Sequence, residues 1–500
     1  MLFRTSCARL LSRPSLSLAH TMPLRSKILN PAFTKMSMST TTAEAKKVLP
    51  EENPADDVLF NSIFGVRTIE LNRPSKLNAL NKSMAEKIVP RLQEWEKSQL
   101  ANIIILKGHG GRALCAGGDV GVLAALNMTG EEGIAQSIAY FGLEYQLDHL
   151  IATYTKPYVA FMDGITMGGG VGLSVHAPFR IATENTRFAM PETKIGFFPD
   201  VGASFFLPRL EGQVGTYLAL TSEQLKGVQA LYAGIATHYI HSSSLPDLEA
   251  RLAELTFDDL ATSREKWSII DSTINEFSTG LPDEPIQLGG EMRKSIDACF
   301  AHNTMEEIIA ALRAHNTPWA EQTLDTLLQR SPTSLRVTLQ LMRLGTGYEW
   351  TIAEAFQREY AVASHFMRHP DFVEGVEHVL EKKEGPPKEG PPKWTPPTLE
   401  ELGEEQVKAF VNPAPGEQRL ALLRDPGVAD YERYPHEGVV GLPTEAEIRR
   451  LVVGQNTWVR EDVVRHFVER RGGREGVEQK VRDVVERMTW EEHGMVRWRD

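Results

Sequence analysis

Residues 58–71 (VLFNSIFGVRTIEL) crowd β-branched and aromatic positions around a central glycine, which predicts a β-hairpin or two short strands. Leu80, Met84, Ile88, Leu92 and Trp95 then recur at helical spacing, with Asn81 placed as the cap and Pro90 predicting a kink or a split. Residues 102–106 (NIIIL) and 157–162 (PYVAFM) read as buried strands, each followed by glycine-rich sequence. A helix is predicted over about 132–152, and residues 179–183 and 186–190 resemble two more strands. Strand–helix alternation of this kind indicates an α/β domain at about 50–245.

Past residue 245 the strand signals fade. Leu248, Leu252 and Leu255 form one helical stripe, Ile308, Ile309 and Leu312 another, and 335–344 a third, so 246–382 reads as a helical region. The repeat Lys383-Glu-Gly-Pro-Pro, Lys388-Glu-Gly-Pro-Pro opens a proline-rich stretch, 383–400, expected to be an extended, exposed linker. In 401–500, Thr444 and Glu447 have capping-box spacing. Val459, Val463 and Phe467 predict a helix stopped by Gly472, and Val477, Val481, Val484 and Met488 continue the pattern. This helical extension carries no catalytic constellation and reads as a docking or structural appendage.

Charge changes the picture at one end. The 500 residues carry a net charge of −12, yet the first acidic residue is Glu44, preceded by four arginines and two lysines among many serines and leucines. Residues 1–43 therefore read as a mitochondrial transit peptide, and losing them leaves about −18. An acidic mature chain argues against broad nucleic-acid contact, though a local basic patch suffices for a small anion. Three cysteines build neither a disulfide framework nor a zinc site, no metal is expected, and no apolar run reaches membrane-spanning length.

Two glycine-rich turns carry the candidate chemistry: Cys115-Ala-Gly-Gly-Asp119 and Met167-Gly-Gly-Gly170. Backbone N–H groups converging from two such turns make an oxyanion hole. Both nucleotide readings are demoted: Val175 stands where the third glycine of a dinucleotide site belongs, and the sequence has no G-x-x-x-x-G-K-[ST] phosphate loop. Cys115 reads as a packing residue, His176 as a core histidine and Asp119 as a helix cap.

The runs CAGGD, DGITMGGGVGLSVH and FAMPETKIGFFPDVGASFFLPRL, with Asn72-Arg-Pro74 and Leu77-Asn-Ala-Leu80, resemble the crotonase (enoyl-CoA hydratase/isomerase) superfamily, in particular its 3-hydroxyisobutyryl-CoA hydrolase branch. The resemblance spans about 50–400. It implies an α/β core of the crotonase type, a ββα superhelix, completed by the helical region and followed by the additional helical tail. It implies an oxyanion hole from the N–H groups of Ala116 and Gly169. It further implies a catalytic pair, Glu192 and Asp200, and substrate binding by Glu144, Gly169, Glu192 and Asp200. Glu144 also reads as an ordinary exposed helical glutamate, and Asp200, after Pro199, as a turn former. Arg73, Lys76, Lys382 and Lys383 are candidates for the CoA phosphates. Hydratases carry a glutamate where Gly172 stands and a glycine where Asp200 stands, and both departures point to thioester hydrolysis. The expected substrate is an acyl-CoA thioester, with CoA part of the substrate and no separate cofactor. The expected setting is the mitochondrial matrix; the sequence leaves open a homo-oligomer and association with the mitochondrial small ribosomal subunit, a component of which is the structural alternative. Another acyl-CoA hydrolase or an enoyl-CoA hydratase is the enzymatic alternative.

Overall fold

The computed structural model describes residues 54–258, 260–384, 390–412, 419–454 and 457–499, the side chains of 381–384 excepted. The expected transit peptide, 1–43, lies outside the described residues. The first apolar run folds as the predicted hairpin. Strand β1 (Val58–Ile63) pairs antiparallel with β2 (Val66–Leu71) across a turn at Phe64 and Gly65. Helix α1 (Lys82–Lys97) follows, and the Asn81 side chain accepts the Met84 N–H at 2.9 Å. Pro90 does not split it. Both Pro90 and Glu86, whose carbonyl loses its partner, are exposed to water, while Met84, Ile88, Leu92 and Trp95 stay buried.

From here the chain repeats one unit. A long buried strand joins one sheet, a short strand joins a second sheet, and a helical segment returns. The first unit is β3 (Ile103–Gly108), β4 (Ala113–Cys115), then α2 (Val120–Asn127) and α3 (Glu131–Ala152). The second is β5 (Tyr158–Met162), β6 (Ile165–Met167) and α4 (Gly169–Val175). The third is β7 (Phe179–Ala182), β8 (Arg187–Ala189) and a 3-10 turn at Glu192–Ile195. With β9 (Leu225–Lys226) and β10 (His238–Tyr239), the sheets run β1-β2-β3-β5-β7-β10 and β4-β6-β8-β9. This is the ββα arrangement the resemblance implies. The short strands β4 and β6 went unread in the sequence; they stand between each predicted strand and its glycine turn.

Helices then dominate from Leu245–Ala253 onward, among them α5 (Ile352–Arg368). The proline-rich stretch corrects an expectation. Its first residues finish the helix Pro370–Glu384, and its described remainder is docked. Trp394 and Leu399 are buried, the Trp394 indole donates to the Gln329 carbonyl at 3.1 Å, and the Thr395 N–H donates to Asp371 at 2.7 Å.

The C-terminal segment is not helical throughout. Helices α6 (Glu445–Gly454), α7 (Arg460–Arg470) and α8 (Val477–Met488) are followed by an antiparallel pair, β11 (Thr489–Glu492) and β12 (Met495–Trp498). His493 and Gly494 both take positive φ between them, the requirement of a tight two-residue hairpin. Ile448, Val463, Phe467, Val481, Val484 and Trp498 bury a separate small core. The expected capping box is present: Glu447 donates its N–H to the Thr444 hydroxyl at 3.2 Å and accepts the Thr444 N–H at 2.9 Å. Ion pairs join this module to the main body, among them Lys480–Glu211 at 2.6 Å and Arg474–Asp271 at 3.0 Å. No helix among the described residues is long and apolar enough to cross a membrane.

Candidate active site

Strands β4 and β6 lie side by side and parallel, so the two glycine turns at their ends meet. Small residues are forced there. A Cβ on Gly168 would stand 3.1 Å from Glu192 Oε1 and 3.3 Å from the Gly117 Cα. On Gly169 it would stand 2.3 Å from Glu144 Oε1. Gly117 (φ 110°) and Gly168 (φ 46°) also adopt the left-handed backbone that disfavours side chains.

One expected oxyanion donor is corrected. The Ala116 N–H already donates to the Leu77 carbonyl at 3.0 Å. Two residues on, the Gly118 nitrogen lies 3.6 Å from where a Gly169 Cβ would be, and its N–H has no backbone acceptor among the described residues. Gly169 opens α4, so the helix supplies no acceptor for its N–H and adds the positive end of its dipole. The converging donors are thus Gly118 and Gly169. The motif alone did not resolve which residue of Ala116-Gly-Gly turns its N–H outward; the bridge between Leu80 and Gly118 decides it.

Around these donors the fold gathers carboxyl groups. Glu192 comes from the 3-10 turn after β8, Asp200 from the next loop, and Glu144 from α3. All three are at most 5% exposed, so Glu144 is no surface glutamate. A fourth was missed: Asp148, one helical turn beyond Glu144 on the same face, is fully buried. Its Oδ2 lies 2.6 Å from where a Gly172 Cβ would stand. The i, i+4 spacing was a readable signal. Glu144 Oε1, Glu192 Oε2 and both Asp148 oxygens have no protein hydrogen-bond partner, whereas Asp200 Oδ2 accepts the Tyr145 hydroxyl at 2.7 Å.

Burial without a neighbouring cation keeps these groups protonated beyond the ordinary carboxyl range. Burial first, then Asp200, raise Glu144 and Glu192 well above their usual values; burial and then Glu144 do the same to Asp148. Asp200 is pushed up to about 7 by burial, which the Tyr145 hydrogen bond partly offsets. Of the four, Asp200 is therefore the group that exchanges a proton near neutrality.

The loop bearing Asp200 is held under strain. Val201, a β-branched residue, has φ 55°. His176 Nε2 donates to the Val201 carbonyl at 2.9 Å, which leaves Nδ1 to accept the Tyr434 hydroxyl at 2.8 Å. Burial lowers His176 to about 4, consistent with this neutral, satisfied core histidine. On the other side Glu359 of α5 accepts the N–H groups of Gly202 at 2.7 Å and Ser204 at 2.8 Å. Glu359 sits over 150 residues from its partners, and no local pattern announced it.

Other candidates separate cleanly. Arg73 is buried, donating to the Ala79 carbonyl at 2.6 Å and pairing with Asp119 at 3.0 Å, so it does not face a CoA phosphate. Asp119 accordingly pairs with Arg73 instead of capping α2, where its side chain makes no capping bond. Lys76 is exposed on the turn Pro74–Lys76. The side chains of Lys382 and Lys383 lie outside the described residues. Burial pushes the Cys115 thiol up to about 12, which suits packing and not a nucleophile.

This fold and these turns define a class. The chain belongs to the enoyl-CoA hydratase/isomerase family, whose model matches residues 66–411. Among its relatives, the small ribosomal subunit protein mS47 of Neurospora crassa is 52% identical, the match covering 97% of this chain and 95% of the relative. The mitochondrial 3-hydroxyisobutyryl-CoA hydrolase of Gallus gallus is 43% identical over 73% of this chain and 91% of its own length. A carnitinyl-CoA dehydratase from Mycobacterium thermoresistibile superposes with a TM-score of 0.64 at 34% identity, covering 74% of this chain and all of that one.

Proposed function

We propose that this chain hydrolyses 3-hydroxyisobutyryl-CoA to 3-hydroxyisobutyrate and CoA in the mitochondrial matrix. The observation that carries the reading is the meeting of the Gly118 and Gly169 N–H groups beside Glu192 and Asp200 in one buried site. In this reading the thioester oxygen lies between the two N–H groups, which stabilise the negative charge that develops there. Glu192, in its ionised form, either attacks the carbonyl carbon, giving a mixed anhydride that water then opens, or takes a proton from the attacking water. Water supplies the hydroxyl of the product acid, and the departing sulfur leaves as the CoA thiol. Asp200, poised near neutrality, holds or releases a proton, and Glu144 and Asp148 receive the hydroxyl end of the acyl group. CoA is part of the substrate, and Lys76 remains a candidate for its phosphates. The test is CoA release by purified protein from a panel of acyl-CoA thioesters. A clear preference for 3-hydroxyisobutyryl-CoA supports the reading, and no release from any of them refutes it.

A second reading rests on a separate observation. The mS47 relative matches 97% of this chain, tail included, whereas the Gallus hydrolase matches 73%. The C-terminal module is thus shared with a ribosomal protein, which supports a role in the mitochondrial small ribosomal subunit. Co-sedimentation with that subunit from mitochondrial extract tests it, and free migration refutes it. The two roles are compatible, because the carboxyl cluster and the C-terminal module are built from different residues.

A further inference from the structure

A cavity of about 500 Å³ opens between the main body and residues 432–446. None of the four clustered carboxyl groups lines it. Three guanidinium groups do: Arg180, Arg209 and Arg433.

The first two are built into the walls. Arg180 is 9% exposed and donates to the carbonyls of Ile235 at 2.6 Å, Ala177 at 2.7 Å and Gly234 at 3.3 Å, with His436 at 3.4 Å. Arg209 donates to the carbonyls of Phe205, Gly345, Trp350 and Glu432 at 2.7–3.0 Å. These bonds use four of the five N–H groups each guanidinium carries and leave one Nη2 N–H on each. No carboxylate bonds either side chain among the described residues. Backbone carbonyls satisfy N–H directions but carry no net charge. Burial and Arg180 together keep His436 neutral, so it offers no counter-charge.

The acids of the lining do not close the balance. Glu211 is matched by Lys480 and Arg293. Glu432 and Glu437 are exposed, as is Arg433, where water screens them. Arg180 is the buried charge without a carboxylate partner, while Arg209 is half-buried and stacks over the Phe205 ring at 3.6 Å; an anion in the cavity removes the cost of burying the Arg180 charge. Guanidinium groups match phosphate geometry well. Flat faces stand close by: Phe206, Tyr434 and the 83%-exposed Tyr348 also line the cavity. Its volume suits a ligand of nucleotide size.

We propose that this cavity is a second binding site, for a small phosphorylated ligand bearing a planar ring, of the nucleotide class. The phosphate meets Arg180, Arg209 and Arg433, and the ring packs against Tyr348. The proposal stands apart from the hydrolase reading, since binding and not turnover is measured.

Calorimetric titration of the full chain with ADP, GDP, UDP and inorganic phosphate, each with and without saturating CoA, tests it. Binding that persists in CoA is distinct from binding at the proposed thioester site. At least one nucleoside diphosphate is expected to bind with one-to-one stoichiometry, tenfold or more tighter than inorganic phosphate. Arg433→Ala and Tyr348→Ala alter exposed side chains, so folding is retained; each is expected to weaken that binding at least fivefold with unchanged Tm. Absence of saturable binding overturns the proposal. So do equal affinity for inorganic phosphate, binding abolished by CoA, and binding unchanged in both variants.

Discussion

Replacing Gly169 by alanine adds one methyl group at the point where the donor turns and the carboxyl cluster touch. That methyl would stand 2.3 Å from Glu144 Oε1, about 1 Å short of ordinary van der Waals contact. Two responses are open. Glu144 Oε1 has no hydrogen bond to lose, so the side chain can swing aside, or the first turn of α4 can withdraw and carry the Gly169 N–H with it. Either leaves the fold intact at an overpacking cost of about 1–3 kcal/mol. The chemical cost is larger. A displaced oxyanion donor typically lowers kcat by roughly 10²–10³-fold, or about 3–4 kcal/mol of transition-state stabilisation. KM is expected to change little, because the interaction strengthens only as charge develops. Gly142→Ala is the matched control. Its methyl meets the Tyr360 ring at 3.2 Å and crowds α3 without approaching the donor. The assay is CoA release under saturating thioester, with thermal melting of both variants. A folded Gly169→Ala protein with wild-type kcat refutes the oxyanion role of this turn.

Four further outcomes follow from the same site and its supports. Glu192→Gln is expected to abolish hydrolysis while leaving Tm unchanged or higher, and the wild-type kcat/KM should rise with pH along a limb displaced above the ordinary glutamate range, because burial and Asp200 raise Glu192; a limb near 4.5 in stopped-flow or steady-state rates contradicts this. Tyr145→Phe removes the hydrogen bond to Asp200, raising its ionisation above about 7 and lowering turnover about tenfold near neutrality, as a pH–rate profile would record. Asp148→Asn tests linkage: the raised folded-state value means that the native carboxyl favours folding at low pH and loses that contribution as pH climbs, so the variant's stability relative to wild type should improve progressively above about pH 4, read from urea midpoints. Lys480→Ala leaves Glu211 with Arg293 and the Glu445 N–H and should cost about 2 kcal/mol, seen as a lower Tm with unaltered kcat.

Local chemistry announced much of this. The hairpin at 58–71, the Asn81 cap, the Thr444–Glu447 capping box and the stripes of α1, α7 and α8 depend on neighbours three or four residues away, so they were legible. The two glycine turns and the acids Glu144, Glu192 and Asp200 were legible through motif resemblance, and the fold brings all of them together. Ala116 and Arg73 failed for one reason. Whether an N–H or a guanidinium is free depends on a distant acceptor, Leu77 in one case and Asp119 in the other. The proline-rich stretch failed similarly: its composition speaks of extension, but Gln329 and Asp371 capture Trp394 and Thr395.

Local pattern thus set the repeating strand–helix order, the caps and the two glycine-rich turns. The sequence also carried, in the exchanges at Gly172 and Asp200, the chemical leaning of the site. The folded chain settled that Gly118 and not Ala116 faces Gly169 and that Glu359 and His176 hold the strained Asp200 loop. It also turned the tail from an appendage into a docked module with a cavity at its border. The physical reason is range. Propensity and capping act within a turn or two of chain, while hydrogen-bond satisfaction, burial and the resulting proton affinities are set by residues that only folding brings together.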